Sequence, residues 1–300
     1  MPELPDVTVY QERLFAVLGS EPLQGVRLLS SFVLRTVEPP LGAFTGRALR
    51  GVERLGKRLV LDFGDELFLV LHLMIAGRLR WHPRAKKLGS KLDLAAFDFA
   101  HGTLVLTEAG SKKRASLHAV RGRAGLAAFD RGGLEVFEAS DAAFAATLRR
   151  ENRTLKRALC DPTLFSGIGN AYSDEILHRA RLSPVTLTRR LDDAEVARLH
   201  AAARDVLRAW TERLRAEVGD GFPDKVTAFR DGMAVHGRHG QPCPDCGAPV
   251  QRIRYADNEC NYCANCQCGG RLLADRGLST LLKQDWPKTL AELEERRRNG

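Results

Sequence analysis

The sequence predicts an α+β multidomain protein: an N-terminal antiparallel β-sandwich or barrel with flanking helices, then a helical domain, then a small cysteine-bearing β-ribbon. Three observations carry this. Residues 23–120 hold short apolar or alternating runs separated by turn residues, the pattern of antiparallel strands. Beyond about residue 138 the chain turns rich in Ala, Leu and Arg, with apolar residues at helical spacing. Six of the seven cysteines fall between Cys243 and Cys268.

Each element has its own warrant. Pro5, Asp6 as an N-cap, then Val7, Tyr10, Leu14, Val17 and Leu18 before Gly19 predict an opening helix. The runs Arg58-Leu59-Val60-Leu61-Asp62-Phe63, 67–73 and 103–107 read as strands, with turns at Gly64-Asp65 and His101-Gly102. Val196, Leu199, Val206, Leu207, Trp210 and Leu214 mark a long amphipathic helix that ends near Gly219. Residues 237–240 read as a linker and 269–300 as a polar helical extension, giving expected domains at 1–138, 139–236, 237–268 and 269–300.

Composition narrows the classes. The chain has 300 residues, 44% hydrophobic and 28% charged, enough for a sizeable core and for two or three domains. It contains no apolar run of membrane length, and its opening lacks the regions of a secretory signal, so a cytoplasmic location and no membrane partner are expected. The net charge of +9 and the pI near 9.4 suit a polyanionic partner.

Cys243-Pro244-Asp245-Cys246 and Cys263-Ala264-Asn265-Cys266 are two C-x-x-C pairs, a spacing that closes a tetrahedral Zn²⁺ site. Four thiolates leave no open position for a water or substrate, so one structural Zn²⁺ is expected. Cys260 and Cys268 read as spares, although Cys260-x-x-Cys263 is also a legal pair. Cys160 stands alone and reads as a core residue.

The first residues carry a different chemistry. Removal of Met1 would expose Pro2 as a secondary amine. A free α-amino group has a reference pKa of about 7.7–8.0 against about 10.4 for lysine, so roughly a tenth of it is neutral at pH 7. The following helix N-terminus disfavours a positive amine further. A secondary amine forms a permanently cationic iminium with an aldehyde, and Glu3 lies beside it as a proton donor and acceptor. Out of context, Pro2 and Glu3 would read as an ordinary polar terminus.

The context is supplied by four ordered matches. Met1-Pro2-Glu3-Leu4-Pro5-Asp6-Val7 resembles the start of the formamidopyrimidine-DNA glycosylase and endonuclease VIII family, with Leu4-Pro5 closer to the formamidopyrimidine branch. Leu55-Gly56-Lys57-Arg58 resembles that family's lysine-bearing strand, and the His72-Leu73-Met74-Ile75-Ala76-Gly77 segment resembles its H-L-G-M-S-G segment. Thr154-Leu155-Lys156, with Gly167-Ile168-Gly169-Asn170 and Asp174-Glu175, is similar to its helix-two-turn-helix motif, and residues 243–267 to its zinc-finger β-hairpin.

The resemblance implies a bifunctional DNA glycosylase and AP lyase of base excision repair, acting on oxidised bases in damaged double-stranded DNA, bound as a monomer. It implies Pro2 as nucleophile, Glu3 as general acid and Lys57 as phosphate contact and helper in elimination. Asn170 and Lys156 become phosphate grips, Met74 or Ile75 the wedge that fills the gap left by a flipped base, and Glu175 a supporting residue. The chain also departs from the pattern. Asp6 stands where the family has glutamate, either as a shorter replacement or as a helix cap. Asn258 stands where the finger carries an arginine, with Arg252 or Arg254 as substitutes. The loop that probes the opposite base becomes Gly110-Ser111-Lys112-Lys113-Arg114, whose basic run is a DNA contact or a solvated face. Two alternatives on the same scaffold stay open: a non-catalytic DNA-structure binder, and an AP lyase without base excision.

Overall fold

The opening helix starts before Asp6. Helix α1 spans Leu4–Leu18 with Glu3 as its N-cap. Glu3 and Asp6 form a capping box, the Glu3 carboxylate accepting the Asp6 N–H while the Glu3 N–H donates to Asp6 Oδ2 at 2.9 Å. Pro5 sits in the first turn, where a missing N–H costs no helical bond. Asp6 is therefore the third helical residue and not the cap expected from the sequence, because the glutamate three positions earlier takes that place. The structure, a computed structural model, describes residues 1–19, 21–84, 87–255, 258–274, 281 and 286–299.

Two four-stranded antiparallel sheets follow. One has the order β2 (Gly51–Leu55), β3 (Arg58–Asp62), β4 (Leu67–His72), β8 (Ser116–Arg121); the other runs β1 (Gly25–Leu28), β6 (Asp93–Phe99), β7 (Gly102–Glu108), β5 (Gly77–His82). Strand alternation sends Leu59, Leu61, Leu69, Leu71 and Leu117 of the first sheet and Leu79, Phe97, Leu104 and Leu106 of the second into one core, with Val7, Tyr10 and Leu14 of α1. The fold is thus a sandwich and not a closed barrel. On its other face the first sheet buries Val60, Phe68, Val70 and Val120 under Leu126 of the short helix α2 (Arg123–Leu126), so β3 and β4 are apolar on both sides.

The chain divides into two compact units, Met1–Arg131 with Ala209–Ala228 and Gly132–Arg208 with Phe229–Gly300. Within the first, Arg215 pairs with Glu12 at 2.5 Å, Arg13 donates to the Gly221 carbonyl at 2.7 Å, and Val226 joins the sandwich core.

The second unit contains α3 (Asp141–Arg149), α4 (Leu155–Cys160), α5 (Asn170–Arg179) and the first part of α6 (Asp193–Val218), then a hairpin of β9 (Gln251–Tyr255) and β10 (Asn258–Tyr262), α7 (Ala264–Cys268) and α8 (Leu290–Asn299). Its centre is a pair of buried carboxylates on α5. Asp174 Oδ1 pairs with Lys156 Nζ at 2.5 Å, while Oδ2 meets His236 Nδ1 at 2.8 Å and accepts the Asn261 N–H at 3.0 Å. Glu175 accepts the backbone N–H groups of Ala234, Val235 and His236 at 2.6, 2.9 and 2.9 Å. The approach to residues 237–240, read as a linker, is thereby pinned. The extension after residue 268 is not purely a polar tail: Leu290 of α8 is buried against Val235, Cys243, Val250 and Cys263, and its N–H donates to the Gly270 carbonyl at 2.9 Å. No helix of the described residues is long and apolar enough to cross a membrane.

Burial pushes the Asp174 carboxyl upward, but Lys156 and His236 more than offset this and hold it below the ordinary carboxylate range. Asp174→Asn leaves the Lys156 cation buried without its counter-charge, which costs about 3–5 kcal/mol and lowers Tm by about 10 °C. A depressed folded pKa stabilises above the unfolded value of about 3.9 and loses that contribution as pH falls through the folded value. Calorimetry from pH 6 to 2 should therefore show wild type losing Tm more steeply than Asp174→Asn; parallel curves would contradict the pairing.

Candidate functional site

The capping box fixes the first turn of α1 and with it the residues just ahead. Pro2 and Glu3 are buried, so the first residues are packed against the fold. Burial lowers the pKa of the Met1 amino group below its ordinary 8.0; Glu3 and Asp6 oppose this, and Arg78 and Lys57 reinforce it. Lys57 lies on the two-residue turn between β2 and β3, not within a strand as the resemblance implied. Gly56, at φ +62°, supplies the positive φ such hairpin turns require. Pro2, whose nitrogen becomes a free secondary amine only once Met1 is removed, lies one residue further into the same buried surroundings.

The segment after β4 forms a tight turn closed by the Gly77 N–H donating to the Leu73 carbonyl at 2.8 Å. A Cβ at Gly77 would lie 2.2 Å from that oxygen, so no other residue fits. Met74 takes φ +52°, uncommon for a non-glycine residue. Met74 is half-buried and Ile75 is 59% exposed at the tip, so of the two wedge candidates Ile75 is the one presented outward. Arg78 braces the turn, donating to the Ile75 and Gly77 carbonyls at 3.2 and 2.6 Å. The basic loop lies alongside: a Cβ at Gly110 would meet that of Ala76 at 3.5 Å. Lys112, Lys113 and Arg114 are exposed. Buried Glu108 anchors their loop by accepting the N–H groups of Arg114 and Ala115 at 2.8 and 3.1 Å, and Lys113 donates to its carbonyl.

In the second unit, Gly169 caps α5 and Asn170 is its first residue. The Asn170 amide donates to the Glu259 carbonyl of β10 at 2.9 Å, so it ties the helix start to the hairpin. Lys156 is not a phosphate grip. It is 7% exposed, and its ammonium donates to the Asn170 carbonyl at 2.6 Å, Ser173 Oγ at 2.8 Å and Asp174 Oδ1 at 2.5 Å. Three protons are committed to three acceptors, and an ammonium carries no more. Glu175, buried on the same helix, gathers three backbone N–H groups of residues 234–236. Arg254 and Asn258 are exposed on the hairpin, whereas Arg252 is half-buried and lies 3.4 Å from Glu259.

Cys243, Cys246, Cys263 and Cys266 bring their sulfurs within 4.8 Å of one another, with Cys243–Cys266 at 3.9 Å and Cys246–Cys263 at 3.4 Å. A tetrahedral site with bonds of about 2.3 Å places its sulfurs roughly 3.8 Å apart, so these four can hold a metal ion. Cys260 lies outside the cluster. Burial, with Asp174 beside it, pushes its thiol well above the ordinary value, which disfavours the thiolate a metal needs.

Sequence reasoning passed over His178, Arg78 and Glu108, and gave Asp174, quoted within the motif, no role of its own. His178, the ninth residue of α5, places Nε2 3.3 Å from Cys243 Sγ, so one helix runs from Asn170 to the cysteine cluster. Its spacing from Asn170, two helical turns and on the buried face, was the available signal. Arg78 and Glu108 had none, because their bonds to the turn at Ile75–Gly77 and to the loop at Lys113–Ala115 are with backbone groups, which residue type does not reveal.

Comparison with known proteins follows this geometry. Residues 1–117 match the formamidopyrimidine-DNA glycosylase N-terminal domain and residues 135–217 the formamidopyrimidine-DNA glycosylase H2TH domain. The chain is 40% identical over 151 residues to an uncharacterized formamidopyrimidine-DNA glycosylase-like protein of Mycobacterium tuberculosis, covering 50% of this chain and 94% of that protein. It is 30% identical over 280 residues to the formamidopyrimidine-DNA glycosylase of Pelotomaculum thermopropionicum, covering 89% and 99%. Among solved structures, Lactococcus lactis Fpg in complex with abasic-site DNA matches in fold with a TM-score of 0.78 at 24% identity, covering 89% of this chain and 99% of that one. The sandwich, the helix-two-turn-helix unit, the cysteine hairpin and the near full-length similarity agree: the chain belongs to the formamidopyrimidine-DNA glycosylase family.

Proposed function

We propose that this protein is a bifunctional DNA glycosylase and AP lyase that excises oxidised bases from duplex DNA, acting as a monomer in the cytoplasm on nucleoid DNA. The observation that carries the reading is the buried Pro2–Glu3 start, fixed by the Glu3–Asp6 capping box, in a chain of the formamidopyrimidine-DNA glycosylase family. With Met1 removed, the Pro2 nitrogen attacks C1′ of the damaged nucleotide; the N–C1′ bond forms as the bond to the base breaks, and the base leaves with the electron pair. Glu3 delivers a proton to the sugar ring oxygen as the ring opens, and loss of the amine proton gives the iminium. A carboxylate offers about four lone-pair sites, so capping and proton transfer are compatible on one group. The iminium acidifies C2′, and its deprotonation expels the 3′ phosphate; a second elimination expels the 5′ phosphate, Lys57 stabilising the leaving oxyanion. Hydrolysis returns the amine.

The supporting parts follow from the same geometry. Ile75, exposed on a turn braced by Arg78, is the wedge that fills the gap left by the flipped nucleotide, and Met74 backs it. Lys112, Lys113 and Arg114 reach toward the opposite strand, while Asn170, Arg254 and Asn258 mark the surface of the second unit that meets phosphates. Cys243, Cys246, Cys263 and Cys266 hold one Zn²⁺, which organises the hairpin and leaves no coordination position for chemistry. The uncharged Asn258 and a probing loop without an aromatic residue keep a second reading in view, an AP lyase or DNA-structure binder that does not excise bases.

Borohydride trapping separates these. Protein lacking Met1 should be trapped on duplexes with 8-oxoguanine, a formamidopyrimidine, thymine glycol or dihydrouracil, and on abasic duplex, with Pro2→Gly abolishing the adduct; trapping on the abasic site alone supports the lyase, and on nothing the binder. Ile75→Ala should weaken binding to a duplex with a flipped-base analogue roughly tenfold, the share of one buried aliphatic side chain, with little change for undamaged duplex; equal loss on both would remove the wedge role. Chelation of Zn²⁺ should strip hydrogen-exchange protection from residues 243–266 and abolish duplex binding while β2 to β8 stay protected. Retained affinity after metal loss would contradict the finger's part.

A further inference from the structure

The outward face of the β2-β3-β4-β8 sheet carries a group of basic side chains that the proposed reaction does not use. Register places Arg58 opposite His72 and His72 opposite Ser116, while Val70 is opposite His118. Residues 70 and 72 share a face, so Arg58, His72 and His118 lie side by side, next to the apolar layer of Val60, Phe68 and Val70. Arg58 donates to the Phe129 carbonyl at 3.2 Å, and the Phe129 ring meets His118 edge-on at 4.8 Å, which holds both side chains in place.

The charges around them share one sign. The Arg58 guanidinium is pushed down by burial and by Arg131; the His118 ring by burial, Arg58 and Arg35; the His72 ring, to about 4, by burial, Arg58, Lys57 and His118. No carboxylate acts on any of the three, and among the described residues Arg35, Lys57, Arg58 and Arg131 form no ion pair. Elsewhere in the same unit arginines are matched, as in Arg27–Asp98, Arg123–Glu53 and Arg215–Glu12. Burial and the neighbouring cations disfavour the charged form of both rings, so the like charges gathered without a counter-ion are those of Arg35, Lys57, Arg58 and Arg131; they raise the free energy of the unliganded protein, and an oxyanion entering between them, beside the His118 ring, reverses the sign of that effect. Arginine's planar fork suits a phosphate in particular.

We infer that Arg58, His118 and Arg131, flanked by Arg35, form a second phosphate subsite on this sheet face, taking a nucleic-acid backbone phosphate other than the one beside the reacting sugar. Lys57 acts on both the chain-start amine and His72, so the cations continue from the reaction site across the sheet. The inference rests on the proposed function only in taking duplex DNA as the ligand.

The test is the salt dependence of duplex binding, read by fluorescence anisotropy with an abasic-analogue duplex. Each released phosphate contact lowers the slope of log K against log salt by about 0.9. Arg58→Gln and Arg131→Gln should each reduce it by about that amount, while the trapped yield at saturating protein stays at the wild-type level. Arg131 is exposed, so its variant reports even if Arg58→Gln fails to fold. An unchanged slope in the Arg131→Gln and Arg35→Gln proteins overturns the subsite. If instead inorganic phosphate at matched ionic strength shifts the His118 ring resonances as far as duplex does, the site takes a free anion and the inference fails. A changed slope in a protein that never cleaves would sink the proposed function alone.

Discussion

The reciprocal bonds between Glu3 and Asp6 are the constraint on which the site depends. They satisfy helix-start N–H groups that would otherwise be orphaned, and in doing so they fix where the chain begins. A terminus is normally the least ordered part of a domain. Here it is buried, because α1 sinks Val7, Tyr10 and Leu14 into the sandwich core and the capping box extends that order back to residue 3. An amine one or two residues ahead then has a defined neighbourhood, with Lys57 supplied by a hairpin turn and Arg78 by the first residues of β5. Capping, usually a matter of stability, here also fixes where the first residues lie.

A second pair of acids organises the other unit. Asp174 and Glu175 are adjacent on α5, yet they point their bonds at three separate stretches of chain: Lys156, residues 234–236 with the His236 ring, and Asn261. The helix thus joins the helix-two-turn-helix segment to the cysteine hairpin. Its far end touches the cysteine cluster through His178, and Leu290 of the C-terminal extension closes the same cluster from another side. The cysteine cluster, the hairpin and the extension therefore share one hydrogen-bonded and apolar framework.

Much of this was legible because it is local. The cysteine pairs, the Met1-Pro2-Glu3 opening, the strand alternation and the long helix over Asp193–Val218 are each written in a few consecutive residues. What could not be read was pairing at a distance. Lys156 has the composition of a phosphate grip, and only the arrival of Asp174 and the Asn170 carbonyl shows that its protons are taken. Arg58, His72 and His118 look like isolated surface residues until strand register puts them together. Asp6 was misplaced for a subtler reason: two acids three apart can each cap a helix, and which one does depends on where Pro5 falls in the first turn.

The central claim is that the fold itself holds the chain-start amine below its ordinary basicity. Its most direct test is an NMR pH titration of the N-terminal residue in the full chain, beside a peptide of the same first six residues. The account predicts a lower midpoint in the protein than in the peptide, with the difference shrinking in Lys57→Gln. Identical midpoints, or a higher one in the protein, would contradict it.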